Sequence, residues 1–176
     1  MSKLEPLFST ELQDFGDFFK LEGFKTPFSS FDSALVSQVY GIIVNEKNEI
    51  LLVLHRRGDY LLPGGTVEIG ESLIETLERE LYEEAAVKID LISLKEGFWQ
   101  QVYKLENSDS PEIEWKKDVI QVRYLARANQ IDKFIKDPAG GMIIAQKWVK
   151  IEDLDTYLKW GQANQVIKNL AKEFIS

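Results

Sequence analysis

The chain has no cysteine, which excludes disulfides, zinc-thiolate sites and cysteine nucleophiles and agrees with a reducing compartment. Its one histidine, His55, cannot by itself build a zinc cluster. No apolar run approaches the roughly 18 residues of a membrane span. The opening "MSKLEPLFSTELQDF" has neither the basic start nor the apolar core of a secretory signal. A cytoplasmic location and no membrane partner are therefore expected. Lys and Arg (21) are outnumbered by Asp and Glu (29), giving a net charge of -8. That balance argues against nucleic acid as a partner, because broad phosphate contact takes a basic stripe or patch. A local cationic pocket is still allowed.

What is present fits one domain with decoration: 176 residues, 44% of them hydrophobic, can bury one substantial core. Residues 1–33 read as an extension. Phe8, Leu12, Phe15, Phe18 and Phe19 recur near helical spacing, and a stretch rich in Gly, Pro and Ser follows. A helix and then a loop are expected there, covering the core or serving as a dimer arm or substrate lid. From Ala34 the texture turns to strands. "ALVSQVYGIIV" and "EILLVLHRR" flank the polar "NEKNE", a hairpin pattern, and "GFWQQVYKL", "VIQVRYLARA" and "MIIAQKWVKI" read as further strands. In the second of these, Ile120, Val122, Tyr124 and Ala126 alternate with Val119, Gln121, Arg123 and Leu125, so Tyr124 and Arg123 belong to opposite faces. A terminal helix carries the stripe Ala163, Val166, Ile167, Leu170 and Phe174. Strands interleaved with helices imply a mixed α/β sandwich for residues 34–176.

The densest pattern is "LLPGGTVEIGESLIETLERELYEEAAV". Ser72 to about Ala85 predicts a helix, free of Pro and Gly and opened by Glu71-Ser72. At roughly 100° per residue, Glu80, Glu83 and Glu84 fall on one arc, beside an apolar arc of Ile74, Leu77, Leu81 and Ala85. The bland alternative is a solvated ladder of Glu75, Arg79 and Glu83, each pair contributing about 0.2–0.5 kcal/mol. Three carboxylates at i, i+3 and i+4 beside a Pro-Gly-Gly turn also suit a hard divalent cation, which takes oxygen ligands.

Gly65, five residues, Glu71, seven residues, Arg79-Glu80-Leu81, Glu83-Glu84 and Ala86-Val87 together resemble the Nudix box of the Nudix hydrolases. Chance agreement at the six glycine and charged positions is on the order of one in ten million per start. The preceding "GDYLLPGG" also looks like the family's approach to the box, with Tyr60 where an aromatic is usual. One position departs: Ala86 stands where the family usually has glycine, as a left-handed residue ending the helix.

The resemblance implies a Nudix-type α/β/α sandwich with a mixed central sheet, and a metal-dependent hydrolase of a nucleotide. The bond cut would be a diphosphate linkage in a nucleoside diphosphate joined to another group. Glu80, Glu83, Glu84 and the Gly65 carbonyl would bind magnesium (Mg2+) or manganese. Arg79 would orient the glutamates, and Glu71 would tie the loop to the helix through Arg79. The general base would be Glu83, or Glu112 or Glu114 in the loop "ENSDSPEIEWKKD". Arg56 and Arg57 are candidates to meet phosphate, and Tyr60 is a further substrate contact. Trp99 heads the aromatics able to stack on a base, with Phe98, Tyr103 and Trp115. A homodimer through the extension is expected. The alternatives are a nucleotide-sensing module of the same fold with little catalysis, or a partner-binding protein using its terminal segments.

Overall fold

The computed structural model describes residues 5–14, 17–25, 27–105, 115–135 and 141–176. Among them, nine strands form one curled mixed sheet, β1 (Phe8–Asp14), β2 (Asp17–Phe24), β3 (Val36–Val44), β4 (Glu49–His55), β5 (Tyr60–Leu61), β6 (Gly64–Thr66), β7 (Val87–Leu105), β8 (Trp115–Ile131) and β9 (Ile143–Lys150). The main path runs β1-β2-β7-β8-β3-β4-β5, with β6 on β3 and β9 on β4. Three α-helices complete it: α1 (Leu73–Ala85), α2 (Leu154–Tyr157) and α3 (Gln162–Ile175). None is long and apolar enough to cross a membrane.

Period-two alternation sorts the strands onto two cores. Val39, Ile43, Val122, Tyr124 and Ala126 face α1 through Leu77, Leu81 and Ala85. Ile42, Ile50, Leu52, Phe98 and Leu125 face α2 and α3 through Leu154, Ile167 and Leu170. The result is the α/β/α sandwich, helices burying apolar stripes on both faces of a mixed sheet.

Two sequence expectations need correction. The extension is not a helix: β1 and β2 form an antiparallel hairpin, Phe8 opposite Gly23 through Asp14 opposite Asp17, and β2 joins β7 from Phe19–Lys104 to Phe24–Trp99. The helical spacing of its aromatics is overridden because the hairpin completes the edge of β7, satisfying backbone groups a helix would leave unpaired. Phe8 packs edge-on to Phe98, and Phe24 stacks on Trp99 with centroids 4.5 Å apart. The β3–β4 hairpin is also looser than its pattern suggests, paired only at Val44 and Ile50. Beyond that point β3 takes β8 in parallel and β6 at Gln38–Tyr40, while β4 takes β9 and β5. This splaying lets β6 lie against β3, and β6 carries the glycines of the box.

Candidate active site

The ends of α1 set its rotation. Ser72 and Glu75 form a reciprocal capping box: Glu75 N–H donates to Ser72 Oγ at 3.2 Å, and Ser72 N–H donates to Glu75 Oε2 at 2.8 Å. Glu75 therefore caps the helix and does not pair with Arg79 as in the ladder. At the other end Ala86 is left-handed, φ 52° and ψ 38°, and its N–H reaches the Leu81 and Tyr82 carbonyls. An alanine in that conformation costs about 1–2 kcal/mol, and the closing bonds hold it there.

With Leu77, Leu81 and Ala85 buried, the next arc of α1 presses on β6. Glu84 Oε2 accepts from Gly64 N–H at 2.9 Å. Glu80 lies over Gly65, where a Cβ would stand 2.4 Å from its Oε1. Gly64, at φ +144°, allows no Cβ either, since one would meet the Val39 carbonyl oxygen at 2.2 Å. Close approach to backbone therefore requires glycine at Gly64, whereas a side chain at Gly65 would displace the Glu80 carboxylate.

Arg79 is the hub. Its Nε and Nη2 donate to the two oxygens of Glu71 at 2.7 and 2.9 Å, and Nη1 reaches Glu80 at 2.9 Å and Glu83 at 3.3 Å. Nη2 also donates to the Thr66 carbonyl at 3.1 Å, tying β6 to α1. Glu71 accepts from Thr76 Oγ1 as well. The Arg79 bonds hold the Glu71 carboxyl down at about 2. Glu80 is pushed up by burial, against the pull of Arg79. Glu84 is pushed up to about 7, by burial first and then by the Glu80 and Glu83 charges, against the Gly64 N–H. Among the described residues no three His, Asp or Glu side chains form a ready-made metal cage; Arg79 bonds Glu80 and Glu83, and the Gly64 N–H bonds Glu84. The donor set itself, carboxylates plus main-chain carbonyls, is the hard oxygen chemistry that magnesium takes.

A cavity of about 760 Å³ opens beside this cluster. Tyr40 and Thr66 belong to both: they line the cavity, Tyr40 lies opposite Gly64 in the β3–β6 pairing, and Arg79 holds the Thr66 carbonyl. The hairpin supplies one wall with Thr10, Glu11, Leu12, Phe19 and Leu21, and Trp160 stands just before α3 on another. The floor is a polar row from three strands, Gln38 and Tyr40, Gln121 and Arg123, and Gln100. Sequence reading passed over this floor, although the alternation in β8 already separated Gln121 and Arg123 from the apolar face.

The remaining candidates divide. Trp99 is buried on the opposite face, between Phe24 and Phe31, so the stacking role expected of it is corrected: the hairpin fills the space in front of its ring. Tyr60 packs edge-on to Tyr157 at 5.3 Å and does not line the cavity. Arg56 and Arg57 are exposed after β4. His55 is buried there, its Nδ1 accepting from the Arg57 backbone and Nε, both at 3.2 Å. Burial, then Arg57 and Arg56, holds the imidazole below its usual range. Neither arginine lines the cavity. Glu112 and Glu114 lie outside the described residues.

Comparison with known proteins agrees with this arrangement. A stretch of 65 residues, 33% of this chain, is 35% identical to human 8-oxo-dGDP phosphatase NUDT18, and 60 residues, 32% of the chain, are 33% identical to the mouse protein. These stretches span only 20% and 19% of the relatives' lengths. Among solved structures, the pyrophosphohydrolase BsRppH of Bacillus subtilis superimposes with a TM-score of 0.61 at 19% identity, covering 93% of this chain and 96% of that one. An ADP-ribose pyrophosphatase from Streptococcus suis gives 0.53 at 18%, covering 79% and 91%. The NUDIX domain model matches residues 35–170. With the glutamate helix packed on its glycine strand inside that span, the chain belongs to the Nudix hydrolase family.

Proposed function

We propose that the protein is a divalent-metal-dependent hydrolase that cuts a diphosphate linkage in a nucleoside diphosphate joined to another group, such as a sugar or a second nucleotide. One observation carries this reading. Glu80 and Glu84 are half-buried carboxylates gathered against Gly65 and Gly64, beside a nucleotide-sized cavity that Tyr40 and Thr66 line, and burial pushes both toward the protonated form. Such crowding is costly in a cation-free site and is relieved by a divalent ion.

Glu80, Glu83, Glu84 and the Gly65 carbonyl would hold magnesium or manganese. When bound, the ion polarises phosphoryl oxygens and lowers the pKa of a water. The chain's own residues do the rest. Arg79 fixes Glu80 and Glu83 through one guanidinium and leaves Glu84 to the Gly64 N–H. Glu83, with 60% of its side chain exposed, can reach an attacking water as general base, and Glu112 and Glu114 remain candidates for that role. The cavity, closed on one side by the hairpin, would take the nucleoside and keep water from it. Arg56 and Arg57 would meet a group that projects from the cavity. The curated relatives bear the name of a nucleoside diphosphate phosphatase, which is in keeping with a diphosphate substrate.

The test is a hydrolysis panel of nucleoside diphosphate sugars, dinucleoside polyphosphates, ADP-ribose, NADH and nucleoside triphosphates, with magnesium and with EDTA. Metal-dependent release of a nucleoside monophosphate from at least one diphosphate-linked compound is expected. Tight binding without turnover in magnesium would support the sensing module instead.

A further inference from the structure

The cavity and the carboxylate cluster meet at β6, and the donors around that junction differ in what they have left to offer. Arg79 is fully committed. A guanidinium carries five N–H groups, and this one makes five bonds, two to Glu71, one each to Glu80 and Glu83, and one to the Thr66 carbonyl. The Gly64 N–H is held by Glu84. Arg123, 2% exposed, lies among the rings of Phe98, Tyr40 and Trp160, with centroids 5.1, 5.2 and 5.8 Å from its guanidinium, and both of its Nη atoms donate to Gln121. The glutamines of the floor bond one another in a ladder: Gln100 Nε2 donates to Gln121 Oε1 at 2.7 Å, and Gln121 Nε2 donates to Gln38 Oε1. The Tyr40 hydroxyl donates to that same Gln38 oxygen at 3.2 Å.

Thr66 stands at the end of this ladder. It lies directly opposite Gln38 in the β3–β6 pairing, and cross-strand partners share a face, so its side chain belongs to the face of the sheet from which Gln38 lines the cavity. Thr66 is exposed, and among the described residues its hydroxyl has no hydrogen bond. Its main chain is engaged on the other side. The carbonyl is clamped by Arg79 at 3.1 Å, and the preceding residue, Gly65, is the one that Glu80 covers. One residue thus presents a free hydroxyl to the cavity while its backbone is fixed to the carboxylate cluster.

We propose that Thr66 is a further catalytic residue, whose hydroxyl donates to an oxygen of the phosphoryl group that joins the nucleoside to the bond being cut. A substrate with its nucleoside in the cavity and its reacting phosphorus at the carboxylates has to cross β6, and a phosphoryl oxygen there needs a donor to offset its desolvation. The Arg79 guanidinium and the Gly64 N–H are committed, and the threonine hydroxyl is not. Because the Thr66 backbone is tied to Arg79, the same contact fixes the diphosphate relative to Glu80 and Glu83. The inference rests on the reading that the cavity holds the nucleoside and the carboxylates hold the reacting phosphorus.

Thr66→Val removes the hydroxyl at nearly constant shape, and Thr66→Ser keeps it. With the best diphosphate-linked substrate in magnesium, Thr66→Val is expected to lower kcat/KM on the order of 10- to 100-fold, the loss of a hydrogen bond to a charged group, and Thr66→Ser to stay within about threefold of wild type. Calorimetry of the full chain in EDTA with the α,β-methylene diphosphates of adenosine, guanosine and uridine reads the contact without turnover. Thr66→Val is expected to bind the analogue that wild type prefers on the order of tenfold more weakly, and its parent nucleoside equally well. Manganese affinity by electron paramagnetic resonance and the thermal midpoint should match wild type in both variants, because the bond to Arg79 comes from the main chain. Wild-type kcat/KM and analogue affinity in Thr66→Val would overturn the assignment, as would an equal loss in Thr66→Ser. A parallel fall in manganese affinity would also overturn it, since the effect would then lie in the carboxylates. A wild type that turns over nothing, with analogue binding that still weakens in Thr66→Val, would sink the hydrolase reading and leave the contact standing. Binding of none of the analogues would overturn both.

Discussion

At the scale of single residues, Glu84 concentrates the energetics of the site. Burial and two neighbouring carboxylates lift it from an ordinary 4.5 to about 7, so the folded protein retains a proton that the unfolded chain has already released. The sign follows: between about pH 4.5 and pH 7 the metal-free protein loses stability as pH rises. Thermal melts in EDTA are expected to show a midpoint that falls from about pH 5 to about pH 8 in the wild type and falls less in Glu84→Gln. Added magnesium should restore the wild-type midpoint at the higher pH and leave the variant unmoved. Identical pH profiles for the two proteins would refute this description of Glu84. Much at this scale could be read from sequence, because the relevant contacts are local: Glu71 with Arg79, the three-glutamate arc, and the left-handed Ala86 all lie within one loop and helix. Spacing alone leaves Glu75 between a capping partner and a ladder partner, i−3 and i+4, and the hydrogen bond from the Ser72 backbone decides for the cap.

At the scale of elements, the site depends on how closely β6 meets two neighbours, and its adjacent glycines serve different contacts. Gly64 faces backbone on β3, which cannot yield, whereas Gly65 faces the end of the Glu80 side chain, which can. Gly64→Ala is therefore expected to lower stability by about 1–3 kcal/mol or more, as a positive φ and a backbone clash combine. Gly65→Ala should fold with a near-normal melt but move Glu80, lowering metal-dependent turnover by on the order of tenfold. Urea denaturation and steady-state kinetics on both variants separate the two effects, and a reversed pattern would contradict this geometry. Element types followed from alternation for β3, β4, β8 and β9, whose sequences already sort into two faces. The first segment did not, because four phenylalanines and a leucine placed near helical spacing also fit a hairpin, and the choice falls to the open edge of β7 some eighty residues away. The glutamine ladder escaped sequence reading for the same reason: Gln38, Gln100 and Gln121 become neighbours only through strand pairing.

At the scale of the whole molecule, the hairpin is part of both the core and the cavity. Phe8 and Phe24 are buried against Phe98 and Trp99, and five hairpin residues line the cavity that Trp160 also lines. Deleting residues 1–25 is expected to lower the thermal midpoint by several degrees and to abolish nucleotide binding in calorimetry. A truncated chain that binds as tightly as the full one would reduce the hairpin to decoration. The dimer suggested by the extension concerns β1, the outer strand of the described sheet, where Leu12 is exposed, as is Leu7 just before it, and light scattering tests it directly.

The central claim is that the carboxylates gathered against Gly64 and Gly65 carry metal-dependent hydrolysis. The most direct measurement is turnover of the best diphosphate-linked substrate by wild type and Glu84→Gln, side by side in magnesium. A fall of at least about a thousandfold in kcat, with the variant still folded and still binding nucleotide, is the expected result. Turnover that survives the substitution unchanged would contradict it.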